Sequence, residues 1–134
     1  MSSKKILIVS GTHGNEINPV WAVNKFIKSE KINSSNDDLI FAKGNPLAIN
    51  KGFRYLDCDL NRSFNRKVTN TKKDFYELKR AEFLMNEYGI SGLNPCQIAL
   101  DFHTTTSAMG TSIVMYGRRK YDFCLAAILQ NKFG

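Results

Sequence analysis

The sequence is poor in everything that staples a small protein covalently. Its three cysteines, Cys58, Cys96 and Cys124, are odd in number and share no CxxC spacing. That excludes a disulfide framework and a cysteine zinc cluster, and fits a reducing cytoplasm. Long hydrophobic runs are also missing. Met1-Ser2-Ser3-Lys4-Lys5 leads into only four consecutive strong apolar residues, Ile6 to Val9, too few for an export signal or a membrane span. A cytoplasmic chain with no membrane partner is the expectation. There is no internal repeat and no low-complexity segment. Neither GxGxxG nor GxxxxGK[ST] occurs, so the loop from Gly11 to Gly14 is not a dinucleotide or phosphate cradle. Histidine is scarce too: there are only two, His13 and His103.

What remains is an ordinary globular composition. The 134 residues, 43% apolar and 23% charged, favour one domain with a real hydrophobic core. The formal net charge is +7, but the basic residues are dispersed. Without a basic block, interleaved aromatics or a zinc-finger spacing, nucleic acid is not an expected partner. A basic surface suits a small anionic molecule instead.

Hydrophobic patterning divides the chain into alternating elements. Lys5 to Ser10 (KILIVS) reads as a buried parallel strand. After the GTHGNE loop, Asn18-Pro19 looks like a helix cap followed by proline at the first helical position, with Val20, Val23 and Ile27 at helical spacing to about Lys28. Ser29 to Asp38 is a polar connection, and Leu39 to Ala42 a second strand before the breaker Gly44-Asn45-Pro46. Asn50 to Asn61 has little periodicity. Lys72 to Tyr88 reads as a helix with Phe75, Leu78, Ala81, Phe83, Leu84, Met85 and Tyr88 giving its apolar face. Ile98 to Phe102 and Thr111 to Tyr116 read as two further strands, and Tyr121 to Phe133 as a last helix. The expectation is an α/β fold with a mixed, partly parallel sheet flanked by helices. With three or four strands and a helix at its end, it resembles part of a larger domain.

Both histidines stand just after a predicted strand, where functional loops converge in open α/β sheets. Glu16 follows His13 by three residues, which one helical turn would place on the same side. Two imidazoles and a carboxylate are a standard donor set for catalytic zinc; the metal lowers the pKa of a water to roughly 7 and polarises a carbonyl. HxxE alone is a weak pattern. The spacing leaves open that both histidines are polar loop residues and that Glu16 merely suits a helix N-terminus. Asp101 could orient a ligand or close a local turn. Cys58 reads as a small buried apolar residue.

Three motifs in order, GTHGNE, then Arg54-Tyr55-Leu56-Asp57-Cys58-Asp59-Leu60-Asn61-Arg62-Ser63-Phe64, then DFHTTTSAMG, resemble the aspartoacylase and succinylglutamate desuccinylase family. The resemblance covers Lys5 to about Tyr116 and is closest to its aspartoacylase branch. It implies a zinc-carboxypeptidase-like fold, incomplete here, with residues 1–134 forming the N-terminal part of the catalytic domain. It implies one Zn2+ per chain held by His13, Glu16 and His103. Arg54, Asn61 and Arg62 would then line a pocket for a small anionic N-acyl amino acid, N-acetyl-L-aspartate or N-succinyl-glutamate being examples. The paired donors of arginine suit carboxylates, and an arginine near the metal can stabilise an oxyanion. Asp57 and Asp59 could themselves be metal ligands, the preferred reading being that they hold the arginine loop. The resemblance places the family's general-base glutamate beyond residue 134; Glu77, Glu82 and Glu87, on a predicted helix away from the motifs, and Glu30, in a surface connection, do not substitute for it. The chain alone should therefore turn over slowly, or be a noncatalytic zinc-binding remnant. Homo-oligomerisation stays open.

Overall fold

The computed structural model describes residues 5–29, 38–64, 74–108 and 110–133. Glu30, most of the 29–38 connection, the expected helix start at Lys72 and Met109 lie outside the described residues. The chain divides into two compact units, Met1–Thr104 and Thr105–Gly134.

The first unit is built on three parallel strands: β1 (Ile6–Ser10), β2 (Leu39–Lys43) and β3 (Ile98–Phe102), in the order β2-β1-β3. Both ladders are parallel, so nothing in the described sheet makes it mixed. The Ile6-Leu7-Ile8-Val9 run belongs at the centre, where a strand needs apolar cover on both faces, and Leu7 and Val9 are buried. The registers align Ser10 with Lys43 on one side and with Phe102 on the other, so all three strands end at one edge. From β1 the chain passes by α1 (Ile17–Ile27) to β2 on one flank. It then returns by α2 (Pro46–Lys51) and α3 (Tyr76–Tyr88) to β3 on the other flank. The order reverses beside the carboxyl end of β1, which is where such sheets open a crevice.

The helix starts differ from the sequence expectation. Helix α1 begins at Ile17, with Glu16 at its N-cap and Asn18-Pro19 already inside the first turn. Proline is tolerated there because the first four amide groups of a helix have no intrahelical acceptor. The same dipeptide at Asn45-Pro46, expected only as a breaker, opens α2: the Asn45 side chain accepts the Ala48 N–H and Pro46 starts the helix. Helix α3 starts at Tyr76 after an extended Phe75, and the Tyr76 N–H is accepted by Asp57 from a distant loop.

Helix α3 packs Ala81 and Leu84 on Leu60, which lies in a 3-10 turn over Leu60–Arg62, with Ala42 and Tyr88 alongside. Arg80 ties the helix to the end of β2 through bonds to the Gly44 and Lys43 carbonyls at 2.9 and 2.7 Å. In the second unit, α4 (Lys120–Phe133) follows Arg119, whose N–H and guanidinium both donate to the Asp122 carboxylate, which satisfies an amide at the helix start. Thr111 to Tyr116, expected as a fourth strand, joins no ladder among the described residues. A run of β-formers becomes a strand only when a neighbouring backbone accepts its hydrogen bonds, and Val114 and Tyr116 are highly exposed.

Candidate metal centre

His13 lies three residues past β1 and His103 one residue past β3, on hydrogen-bonded neighbour strands that end together. The parallel register thus brings residues 90 positions apart to one crevice, with their ring centroids 5.0 Å apart. His13 is delivered by a tight loop. Gly11 has φ +70°, a conformation that side chains resist. Gly14 passes so close to α2 that a Cβ would run into the backbone of Ala48 and Ile49.

Glu16 sits between the rings. Its Oε1 is 2.7 Å from His13 Nδ1, and its Oε2 is 3.1 Å from His103 Nδ1. An N-cap side chain ordinarily accepts amide groups of its own helix. Glu16 makes no such bond and accepts the Thr104 N–H at 2.7 Å instead. It is therefore not simply a residue that suits a helix start. Burial alone would raise its pKa, but the Thr104 amide and the two histidines together hold it below the usual value.

The opposite ring nitrogens are also engaged. His13 Nε2 is 3.3 Å from Asp59 Oδ1, and His103 Nε2 is 2.8 Å from Asp101 Oδ2, which also accepts the Thr12 hydroxyl. Asp101, left between two roles by the sequence, orients His103. Its hydrogen bond is the main reason the His103 pKa rises, against some desolvation, with Glu16 adding to the rise. Asp59 is likewise held low: its burial is outweighed chiefly by His13, then by the Asn61 N–H and Arg54.

His13, Glu16 and His103 each offer a donor atom within 4.8 Å of the others. A tetrahedral zinc with bonds of about 2.0–2.2 Å separates its donors by about 3.3 Å. The observed 2.7 and 3.1 Å approaches are close to that spacing. Each imidazole turns Nδ1 to the shared carboxylate and Nε2 to a carboxylate of its own, the pattern that fixes the tautomer of metal-ligating histidines. The donor set fits a divalent ion of the zinc type.

Arg54 reaches the centre with its guanidinium 3.7 Å from both Glu16 Oε1 and Asp59 Oδ2, and its side chain is 50% exposed. Asn61 and Arg62 stand on the adjoining 3-10 turn with exposed side chains; the Asn61 N–H donates to the Asp59 carboxylate and the Arg62 N–H to the Asp59 carbonyl. Asp57 is not at the centre; it caps α3. Cys58 is buried, with its Sγ 3.5 Å from the Ser63 hydroxyl.

One residue escaped sequence reasoning. Glu77, taken as remote from the motifs, lies directly beneath the loop: Leu56 N–H and the Asn45 amide donate to Oε1, and Asp57 and Cys58 N–H to Oε2. Burial would raise its pKa; these four donors overcome that and lower it. With both oxygens so occupied, Glu77 is not a free base. Its one sequence signal is an acidic residue in the first turn of a helix, and that is too common to single it out.

An open parallel sheet with two histidines and a carboxylate converging at its switch point is an arrangement that suits a bound divalent metal in a ligand crevice. The match with known proteins is closer than that. Residues 2–131 match the succinylglutamate desuccinylase/aspartoacylase catalytic domain, and the chain belongs to that family. It is 60% identical, over its whole length, to a probable aspartoacylase of Prochlorococcus marinus strain MIT 9515, and 45% identical to that of strain MIT 9313. The chain spans 45% of the length of each of these relatives. Among solved structures, murine aminoacylase 3 aligns with 96% of the chain at 26% identity and a TM-score of 0.75, the chain covering 44% of it. Succinylglutamate desuccinylase from Vibrio parahaemolyticus aligns with 77% at 26% identity and a TM-score of 0.59, with 36% of that chain covered.

Proposed function

We propose that these residues form the metal-binding, N-terminal part of the catalytic domain of a zinc-dependent amidohydrolase that deacylates N-acyl amino acids, N-acetyl-L-aspartate foremost. The observation that carries this reading is the convergence of His13, Glu16 and His103 donor atoms within 4.8 Å. Similarity to probable aspartoacylases supports the substrate class. Zinc held there supplies a Lewis acid that polarises an amide carbonyl and acidifies water.

The chain's own residues do the rest of the work assigned to them. Glu16 and the two histidines hold the ion, while Asp59 and Asp101 keep the imidazoles turned. Arg54 stands at ion-pair rather than hydrogen-bond distance from its two carboxylates, so its N–H groups remain available to a substrate carboxylate or a developing oxyanion. Asn61 and Arg62 complete the wall that binds the amino-acid carboxylates.

Among the described residues, each carboxylate at the centre already has a partner. Glu16 faces both imidazoles, Asp59 faces His13 and Arg54, and Asp101 faces His103 and Thr12. The general base is assigned to a glutamate beyond residue 134. General acid–base catalysis contributes about 10²–10⁴-fold, so the 134-residue chain alone turns over slower than the whole enzyme by about that factor.

Metal analysis tests the core of this reading. About one zinc per chain is expected, lost in His13→Ala and in His103→Ala; full zinc retained by both variants would remove the assignment. Hydrolysis of an N-acetyl, N-succinyl and N-formyl amino-acid panel by the whole protein then separates aspartoacylase from desuccinylase chemistry. Zinc binding without turnover of any member would leave a noncatalytic remnant.

A further inference from the structure

Glu77 is fully buried, and an ionised carboxylate in that position is costly unless its oxygens are satisfied. Here they are. Three successive backbone amides, Leu56, Asp57 and Cys58, converge on it at 2.8, 3.0 and 3.2 Å, and the Asn45 side chain adds a fourth donor at 2.9 Å. The segment they belong to has no ladder or α-helix to satisfy its amides, so the shape of this loop is set by an acceptor from another element.

That loop carries the groups that meet the metal centre. Arg54 precedes the three amides and lies 3.7 Å from Glu16; Asp59 follows them and lies 3.3 Å from His13 Nε2. The Gly14 N–H is accepted by the Arg54 carbonyl at 3.2 Å, which fastens the loop to the turn bearing His13. Asp57, between these groups, returns the tie by accepting the Tyr76 N–H of α3. Helix α3 is thus joined to the loop from both sides, one residue apart in its own sequence.

We propose that Glu77 is a positioning residue for substrate recognition: its buried carboxylate gathers the Leu56–Cys58 amides and so sets Arg54 and Asp59 against the metal centre. Glu77 makes no hydrogen bond to the candidate ligands; it acts through the loop, and its one other partner among these donors is Asn45 at the start of α2. This rests on reading the Arg54–Arg62 segment as the substrate-binding wall.

The decisive variant is Glu77→Gln, nearly isosteric, whose amide nitrogen would face N–H donors and leave part of the set without an acceptor. It is made in the 134-residue chain with Cys96→Ser and Cys124→Ser, so that Cys58, buried in the loop, is the one thiol. Compared with the same chain carrying Glu77, the variant keeps its far-ultraviolet circular dichroism and its zinc stoichiometry. Iodoacetamide labels Cys58 at least about tenfold faster, the ratio given by about 1.4 kcal/mol in loop opening. Calorimetric affinity of the zinc-loaded chain for L-aspartate falls by at least about tenfold.

Unchanged Cys58 labelling overturns the proposal. So does loss of zinc or of the helical signal together with faster labelling, because Glu77 would then be a general support of the fold. If the parent chain binds no L-aspartate, the substrate reading fails by itself, and the Cys58 rate alone decides whether Glu77 holds the loop.

Discussion

Each nitrogen of His13 and His103 has a carboxylate beside it, and the two kinds of carboxylate have different work. Glu16 is shared between the Nδ1 atoms, whereas Asp59 and Asp101 each serve one Nε2. Replacing a partner that orients a metal-ligating histidine costs about 10–100-fold in metal affinity. Asp101→Asn is expected to show that loss in competition with a chromophoric chelator, while still reaching about one zinc at saturating metal. An affinity equal to that of the parent would mean that Asp101 serves the Thr12 turn and not the histidine. Arg54 separates differently. In Arg54→Lys the planar fork is gone, so L-aspartate binding should weaken about tenfold or more with zinc affinity unchanged; equal loss of both would place Arg54 in the metal site.

At the scale of elements, the sequence told more about where strands end than about how loops are held. The KILIVS and IALDF runs announced their strands, and a histidine just beyond each pointed to the crevice. The Asn-Pro pair misled because the same dipeptide stands in different places relative to a helix start. At Asn45-Pro46 it caps and starts α2, but at Asn18-Pro19 it falls inside α1, since Glu16, turned towards the histidines, already occupies the N-cap position. No local rule distinguishes the two, because tertiary partners decide. The Gly14 contact with α2 was equally hidden, being a matter of two segments meeting. Gly14→Ala must push the His13 turn away from Ala48 and Ile49, at a cost of about 1–3 kcal/mol, the range for overpacking a close contact. Urea unfolding with an unchanged midpoint would show that α2 can retreat freely.

For the whole molecule, the legible part was the meeting of His13, Glu16 and His103 at the strand ends and the α/β class, and the hidden part was long-range pairing. That β1 lies between β2 and β3, and that α3 reaches back under the Arg54 loop, follows from pairings no spacing encodes. Glu77 makes that hidden organisation measurable through pH. Its pKa in the folded chain lies below the ordinary 4.5, because burial, which opposes ionisation, is outweighed by the donors of Leu56, Asn45, Asp57 and Cys58. A group depressed on folding binds protons more readily when unfolded, so the stability it contributes is complete above pH 4.5 and declines as pH falls through the folded value. Glu16 and Asp59 are depressed as well, so acid unfolding of the parent chain alone would mix all three. Their contributions cancel in the difference between the parent and Glu77→Gln. Urea midpoints for the pair should therefore differ by a constant amount near neutrality and approach each other as the pH drops below 4.5. A gap that persists undiminished into strong acid would mean that the Glu77 site favours the shape of the side chain rather than its charge, and the loop would then be held by packing.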